Sequence, residues 1–217
     1  MIALIHTVLG KILSLVFPSR CAGCGKDGDI FCQKCINKTR KNPHSKVSVL
    51  FLDKLYHWGI YENEILSRAL RRFKYYGAIG LADIFSDLLV KLIEPNIKDF
   101  AKNTVVLAIP ASRARKKSRG YNQAELLAEK FSKKTSISYV PDVLIKSRNT
   151  VSQTSLAGRE RLFNQKDSFA VANQEKIKNK KIILVDDILT TGATLSEAAR
   201  ALKEAGASEI TGLVVAK

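Results

Sequence analysis

The chain has 217 residues, 46% of them hydrophobic, which is enough for one α/β core of ordinary size with a small appendage. Lysine and arginine together number 36 against 20 acidic residues, so the formal charge is +16 and the sequence pI is about 9.8. This composition excludes a disordered chain and predicts a folded, soluble protein, and the charge favours polyanions: nucleic acid, phosphorylated metabolites or an anionic membrane surface.

The first predicted element is a helix within residues 1–17, the longest apolar stretch of the sequence. Its apolar residues recur at helical spacing, which indicates an amphipathic helix packed on the body of the protein; a helix lying on a membrane surface is the alternative. His6 and Lys11 interrupt the stretch, no basic residues precede it, and it has no small-residue cleavage site. We therefore expect neither a secretory signal nor a transmembrane span, and a cytoplasmic protein, with attachment to the inner face of the membrane as the alternative.

Four cysteines follow between positions 21 and 35, as two Cys-x2-Cys pairs separated by seven residues. In a reducing compartment such pairs bind metal more often than they form disulfides, and a tetrahedral zinc site needs four thiolates in one place. The spacing predicts a structural zinc site on Cys21, Cys24, Cys32 and Cys35; iron-sulfur or redox chemistry is the alternative. A polar basic connector, residues 37–48, would close this first domain, residues 1–48.

Two helices are predicted next, over residues 65–73 and around residues 81–93, the second ending at Pro95. Cations and aromatic residues alternate at the end of the first helix, and a second cluster of cations lies near residue 115. Such surfaces bind single strands through phosphate contacts and base stacking. The predicted nucleic-acid-binding residues are Arg71, Arg72, Lys74, Tyr75, Tyr76, Lys116, Lys117 and Arg119. The alternative is a solvated helix face with Phe73 in the core.

Residues 105–109 are an unbroken apolar run that suits a buried parallel strand. A basic loop, residues 110–121, leads to a helix with Asn122 as its N-cap and Glu125 three residues later, the pattern of a capping box. A further strand is predicted at residues 137–145, before a long polar segment, residues 148–166. Strand, loop and helix in this order form the first half of a βαβ unit.

The same order returns at the C-terminus. Residues 182–185 predict a buried strand, residues 186–193 a polar turn, and Thr194 an N-cap with Glu197 at the third helical position. Gly206 would stop this helix before a last strand at residues 210–216. The alternation predicts an α/β fold, a mostly parallel sheet flanked by helices, over residues 49–217.

The turn after the strand at residues 182–185 carries the strongest functional pattern in the sequence. Asp186 and Asp187 come at the carboxyl end of a buried parallel strand, where α/β sheets place ligands. Hydroxyls and approachable backbone amides follow at the start of a helix, an arrangement that binds phosphate; these residues are Thr190, Thr191, Gly192, Ala193 and Thr194. Carboxylates for sugar hydroxyls and amides for phosphate predict a phosphorylated sugar as ligand. A P-loop is excluded because no Gly-Lys-Ser/Thr triplet is present.

Residues 182–194 resemble the 5-phosphoribosyl-1-pyrophosphate (PRPP) motif of the type I phosphoribosyltransferases at every position: two acids, two variable residues, two hydroxyl residues, Gly, a small residue and Thr. A second set of segments covers much of the rest of the chain: Ile109-Pro110, the basic run 113–119, Arg119-Gly-Tyr-Asn-Gln-Ala-Glu-Leu-Leu-Ala128, Thr150, Gln153, Leu156, Arg161, Asn164, Phe169, the cysteine cluster and Lys74-Tyr-Tyr-Gly77. Together these segments resemble the ComF family of bacterial competence proteins. The resemblance covers nearly the whole chain.

This resemblance implies that Asp186 and Asp187 hold the ribose hydroxyls of PRPP and stabilise positive charge in catalysis, that residues 190–194 wrap its 5-phosphate, and that magnesium accompanies it. It also implies a pyrophosphate loop at residues 111–115, including Ala111, Ser112 and Arg113, and a mobile loop that brings Arg148, Arg159 and Arg161 over the reacting centre. The family commonly has a His or another Pro near the start of the pyrophosphate loop, where this chain has Ala111 and Ser112.

The function implied is that of a competence-associated protein, active in natural transformation and DNA uptake, which binds PRPP with magnesium and handles single-stranded DNA together with other proteins of the competence machinery. The alternative is a small-molecule phosphoribosyltransferase that displaces pyrophosphate from PRPP with a nitrogen nucleophile. A third hypothesis, a PRPP-sensing regulator without turnover, uses the same pocket.

Overall fold

A computed structural model describes residues 19–40, 48–100, 102–146 and 168–217. The strands are β1 (Lys54–Gly59), β2 (Thr104–Ala108), β3 (Leu144–Lys146), β4 (Phe169–Val171), β5 (Lys181–Ile188) and β6 (Glu209–Ala216). The α-helices are α1 (Gln33–Thr39), α2 (Glu64–Tyr75), α3 (Leu81–Ile93), α4 (Arg113–Arg119), α5 (Gln123–Thr135) and α6 (Ala193–Glu204). Short 3-10 helices cover Glu94–Phe100 and Gln174–Lys176. The predicted N-terminal helix and the predicted mobile loop with Arg148, Arg159 and Arg161 lie outside the described residues.

The centre of the fold is a four-stranded sheet in the order β1-β6-β5-β2, and all three of its strand pairs are parallel. The apolar run of β5 is buried on both faces, as parallel strands between helices are. Ile183 and Val185 belong to the core that includes α3 and α5, whereas Ile182 and Leu184 belong to the core under α6. The predicted α/β architecture with a mostly parallel sheet is confirmed.

The strand predicted at residues 137–145 is wrong over most of its length. Only Tyr139 pairs with the sheet, through an isolated parallel bridge to Val106. The chain then turns at Asp142, whose φ of 59° lies in the left-handed region, and β3 leaves to form a separate antiparallel pair with β4. The break follows from Pro141 and Asp142, residues that favour turns over strands.

The helices α2 and α3 lie where the apolar periodicity predicted them. The basic loop predicted at residues 110–121 instead contains α4, whose start is capped by the Ser112 hydroxyl accepting from the amide of Arg115 at 3.3 Å. The helix buries none of its residues, so it has no apolar face for periodicity to detect. Its end is fixed by Gly120, at a φ of 79°.

Three predicted details around the helix starts need correction. β5 continues through Asp186 and Ile188, which still pair with β6, so the acids lie inside the strand and not in a turn after it. The start of α6 is Ala193, after Gly192 in the left-handed conformation, so Thr194 is not the N-cap. Asn122 does cap α5, accepting from the amide of Ala124 at 3.1 Å, but the Glu125 carboxylate pairs with Lys116 instead of completing a capping box.

The cysteine-bearing segment packs into the same core as the sheet. Phe31 meets Phe85 edge to face, with ring centroids 6.2 Å apart. The Trp58 indole donates to the Thr39 hydroxyl at 2.9 Å, and the Asn63 amide donates to the Lys38 carbonyl at 2.9 Å. The division into domains 1–48 and 49–217 stays a prediction. Within the described residues, no helix is long and apolar enough to cross a membrane.

Candidate functional site

The two predicted ligand loops lie side by side because their strands are neighbours. β2 and β5 pair in parallel, so both end at the same edge of the sheet, and the Ile109 amide extends the pairing by donating to the Val185 carbonyl at 3.0 Å. The Asn122 side chain then donates to the Ile109 carbonyl at 3.0 Å and ties the start of α5 to this edge. The acids of β5 and the loop after β2 therefore lie at the same edge of the sheet, the usual ligand position in α/β folds.

Asp186 and Asp187 form a closely coupled pair at this edge. The Asp187 side chain is 9% exposed and lies 3.0 Å from the Lys74 ammonium. The Asp186 carboxylate accepts from the Asp187 amide at 2.8 Å. Burial and the neighbouring charge of Asp187 raise the pKa of Asp186 to about 7, although the Asp187 amide, Lys74 and Arg115 oppose the rise. Asp186 therefore keeps its proton to a higher pH than an ordinary aspartate does.

Lys74 occupies a different place from the one predicted. The sequence places it among the nucleic-acid-binding residues, but α2 directs its 18% exposed side chain into the ion pair with Asp187. A lysine can bury its aliphatic stem in this way while its ammonium meets a carboxylate. The sequence did hold a signal for this position, because Lys74-Tyr-Tyr-Gly77 is one of the segments that resemble the ComF family.

Lys146 is a second cation at this edge, and sequence reasoning missed it. Burial and the nearby Arg115 guanidinium lower the pKa of Lys146, while the negative charge of Asp186 favours its charged form. Its ammonium also lies 5.7 Å from the centre of the Phe169 ring. The signal was absent from the sequence because a single lysine before a polar segment has no distinctive pattern.

The turn between β5 and α6 combines exposed hydroxyls with a left-handed glycine at the start of a helix, an arrangement that can bind phosphate. Thr190 and Thr191 are exposed, and Gly192 has a φ of 80°, which L side chains rarely adopt. A Cβ at Gly192 would also lie 3.2 Å from Val49, so the close approach excludes a larger residue without a shift. Ala193 and Thr194 supply the first helical amides of α6, at the positive end of the helix dipole.

The loop after β2 borders a pocket of about 470 Å³. Ala111 and Ser112 are partly buried in its wall, and Arg113 is exposed at the start of α4. Lys146 and Tyr139 also line this pocket. Burial, together with the carboxylates of Glu125, Glu129 and Asp142, raises the pKa of Tyr139, so its hydroxyl stays protonated throughout the physiological range.

The four predicted cysteines come together in one cluster. Their sulfur atoms all lie within 4.8 Å of one another, and the Cys21 sulfur is 3.6 Å from that of Cys32 and 3.7 Å from that of Cys35. Four sulfurs at about 2.3 Å from a tetrahedral zinc lie about 3.8 Å apart. Burial disfavours the Cys21 thiolate, but amides of Cys32, Cys24 and Gly23 outweigh it and lower the pKa of Cys21 to about 6. The cluster can hold a metal ion such as zinc.

The two predicted basic segments meet at Tyr75. The Arg119 guanidinium lies 4.9 Å from the centre of the Tyr75 ring and donates to its hydroxyl at 3.3 Å. Tyr75 is 63% exposed and Tyr76 is 78% exposed, so both rings are open to a stacking partner. Arg71, Arg72 and Lys117 are also at the surface, whereas Lys116 pairs with Glu125 at 3.2 Å. Phe73 is fully buried, as the alternative for this helix also predicted.

Comparison with known proteins agrees with this geometry. The profile of the family described as "Phosphoribosyl transferase domain" matches residues 80–217. "Competence protein F" of Haemophilus influenzae is 29% identical over 88% of this chain and 81% of its own length. "Competence protein ComFC" of Bacillus subtilis is 33% identical over 66% of this chain and 56% of its own. "DNA utilization protein YhgH" of Escherichia coli is 29% identical over 48% of this chain and 45% of its own.

Among solved structures, the chain has a distant likeness to one described as the allosteric regulatory enzyme of purine biosynthesis. The TM-score is 0.45 at 18% identity, over 66% of this chain and 29% of the other, which adds nothing to the assignment. The fold, the acid-pair turn and the matching profile define a protein of the phosphoribosyltransferase class. With its four-cysteine cluster and its competence relatives, the chain belongs to the ComF family.

Proposed function

We propose that this protein binds PRPP with magnesium at the edge formed by β2 and β5 and serves in competence, the uptake and handling of DNA. PRPP binding is supported above all by the acid pair at the end of β5, which is followed at once by the hydroxyl-rich turn into α6. The role in competence is supported by the relatives, which are named competence or DNA utilization proteins. A cytoplasmic location and association with other competence proteins belong to the same proposal.

In this proposal Asp186 and Asp187 accept hydrogen bonds from the two ribose hydroxyls. The turn at residues 190–194 holds the 5-phosphate through its hydroxyls and through the amides at the start of α6. Ala111, Ser112 and Arg113 face the pyrophosphate, with Lys146 as a further cation beside them. Magnesium, bound with the ligand, would neutralise the leaving group if pyrophosphate is displaced. The ion pair with Lys74 orients the Asp187 side chain as an acceptor.

Thermal unfolding with PRPP and magnesium tests the ligand. A ligand that binds only the native state at 100 times its Kd stabilises it by about 2.7 kcal/mol. For a chain of this size the melting temperature should rise by roughly 5–11 °C. Asp186→Asn with Asp187→Asn should abolish most of the shift, whereas Asp99→Asn, at an exposed position outside both pockets, should keep it. An undiminished shift in the double variant would rule out the ribose-binding role.

The cysteine cluster is proposed to hold one structural zinc ion. The sulfur separations fit a tetrahedral ion, and four thiolates are the ligands that zinc prefers. Because Cys21, Phe31 and Cys35 are part of the main core, the ion would stabilise the packing of the N-terminal segment on α2 and α3.

Single-stranded DNA is the second proposed ligand, bound on the surface that carries Tyr75, Tyr76 and Arg119. The Tyr75 ring and the Arg119 guanidinium stacked on it form a platform of the type that binds bases. The affinity should fall with salt, with a log-log slope of about −0.7 for each phosphate neutralised. Binding that is tight but independent of salt, or absent at moderate salt, would contradict this part of the proposal.

A small-molecule phosphoribosyltransferase is the second candidate function. The observation that favours it is the 470 Å³ pocket beside the loop after β2, which has room for an acceptor and has carboxylates on its wall. The reaction would break the bond between ribose C1 and pyrophosphate and form one to the acceptor nitrogen. Pyrophosphate release across a panel of bases and amines tests it. Release with one acceptor, together with failure to bind DNA, would make this the leading function.

A further inference from the structure

The outer face of α2 carries a pocket that the proposed function uses only in part. It has a volume of about 660 Å³ and is lined by Glu64, Arg68, Arg71, Arg72 and Tyr76. We call it the arginine pocket. The lining includes three guanidinium groups and one carboxylate, so the pocket has an excess of two positive charges. Arg68 is its one cation that no sequence pattern assigned to a ligand.

Each of the three arginines is positioned by one hydrogen bond to the protein and keeps further N–H donors for a ligand. Arg68 donates to the Gly23 carbonyl at 2.7 Å, Arg72 to the Arg20 carbonyl at 3.5 Å, and Arg71 to the Ser67 hydroxyl at 3.4 Å. Across the described parts of the chain, none of the three forms an ion pair with a carboxylate. Since a guanidinium has five N–H donors, each keeps several for an anion.

The cysteine cluster determines where Arg68 lies. Gly23 sits between Cys21 and Cys24, and its backbone is pressed against α2 so closely that a Cβ would lie 2.7 Å from the Ile65 side chain and 2.8 Å from the Cys35 sulfur. The carbonyl that fixes Arg68 is therefore part of the turn that presents the first two thiols. A metal ion on the cysteines would hold this turn, and with it one wall of the arginine pocket.

We propose that the arginine pocket binds a backbone phosphate of single-stranded DNA, and that the metal-bound cysteine turn positions Arg68 for it. This inference rests on the proposed DNA-binding function. The guanidinium fork matches two phosphate oxygens at once, which a lysine cannot do. Tyr76, 78% exposed on the pocket rim, offers a face for the base next to that phosphate. A strand would thus run from the Tyr75–Arg119 stack across the end of α2 towards the cysteines.

The test is a salt titration of a fluorescent oligo-dT strand against the metal-loaded full chain and three variants. Arg68→Ala should weaken binding about tenfold, the loss typical of one charged hydrogen-bonding group, and make the slope shallower by about 0.7. Arg68→Lys should keep the slope and recover only part of the affinity. Lys91→Ala removes an exposed cation on α3 outside every predicted site and should change neither. All four proteins should keep the melting shift with PRPP and magnesium.

Removing the metal with a chelator gives the second readout. It should weaken DNA binding by the wild type, and weaken binding by Arg68→Ala much less, because the shared contact is already lost. If the wild type does not bind the strand at all, the proposed DNA function fails and this inference with it. A second outcome is that the wild type binds the strand and Tyr75→Ala weakens this binding, while Arg68→Ala, like Lys91→Ala, changes neither affinity nor salt slope. That result would overturn only this inference. Loss of the PRPP shift in Arg68→Ala would overturn it too, because the pocket would then serve the small ligand.

Discussion

The ion pair between Lys74 and Asp187 was not predicted from the sequence, and its contribution to stability can be tested. Lys74→Ala would leave Asp187 and Asp186 side by side without their nearest cation. Removing one partner of a buried pair costs about 3–5 kcal/mol. Here the two side chains are 18% and 9% exposed, so water reaches the pair and the lower end, about 3 kcal/mol, applies. A loss of about 3 kcal/mol lowers the melting temperature by roughly 6–12 °C in a chain of this size.

Urea denaturation of a double-mutant cycle measures the pair itself. With Asp187→Asn already present, Lys74→Ala should cost much less, and the coupling free energy should be about 2–3 kcal/mol. Lys130→Ala is the matched control, since its ion pair with Asp83 at 3.0 Å is exposed on both sides, and it should cost no more than about 1 kcal/mol. Additive losses in the cycle, with a coupling below about 0.5 kcal/mol, would show that the ion pair does not hold the acid pair.

Three further predictions concern the metal, the acid pair and the aromatic surface. Purified protein should contain about one zinc per chain, and Cys24→Ser should lower zinc content and melting temperature together; metal-free protein of unchanged stability would contradict the structural role. The pKa of Asp186 is raised from 3.8 to about 7, so the folded state binds more protons than the unfolded state in that window and stability falls as pH rises through it. Asp186→Asn should remove at least about 1 kcal/mol of this fall between pH 5 and pH 8, and an unchanged pH dependence of the urea midpoint would refute the assignment. Tyr75→Ala should weaken DNA binding by about 1–3 kcal/mol with little change in salt slope, because stacking releases no counterions; an altered slope at full affinity would argue against stacking.

Much of the fold was predictable because its signals are local. The buried run of β5 and the spacing of Asp186, Asp187 and Gly192 all lie within one short segment, and the order of strands and helices fixed the parallel sheet. The four cysteines likewise carry their meaning in their spacing, and the structure brings all four sulfurs together.

The features that sequence reasoning missed depend on contacts between distant segments or on a single backbone choice. From the sequence alone, Lys74 could equally lie on the surface. Its ion pair with Asp187 becomes visible only when α2 and β5 are located in three dimensions. The position of Arg68 follows from a carbonyl in the cysteine turn, far away in the chain. The start of α6 was misplaced because the hydroxyl of Thr194 matches the usual N-cap pattern, whereas the helix begins at Ala193, after Gly192 in the left-handed conformation.

A crystal structure of the protein soaked with PRPP and magnesium tests the central proposal most directly. The ribose hydroxyls should lie within hydrogen-bonding distance of Asp186 and Asp187, and the 5-phosphate should lie in the turn at residues 190–194, against the first amides of α6. The pyrophosphate should face Ala111, Ser112 and Arg113. Ligand density elsewhere on the chain, with the acid pair still engaged only by Lys74, would contradict the assignment of this edge of the sheet as the PRPP site.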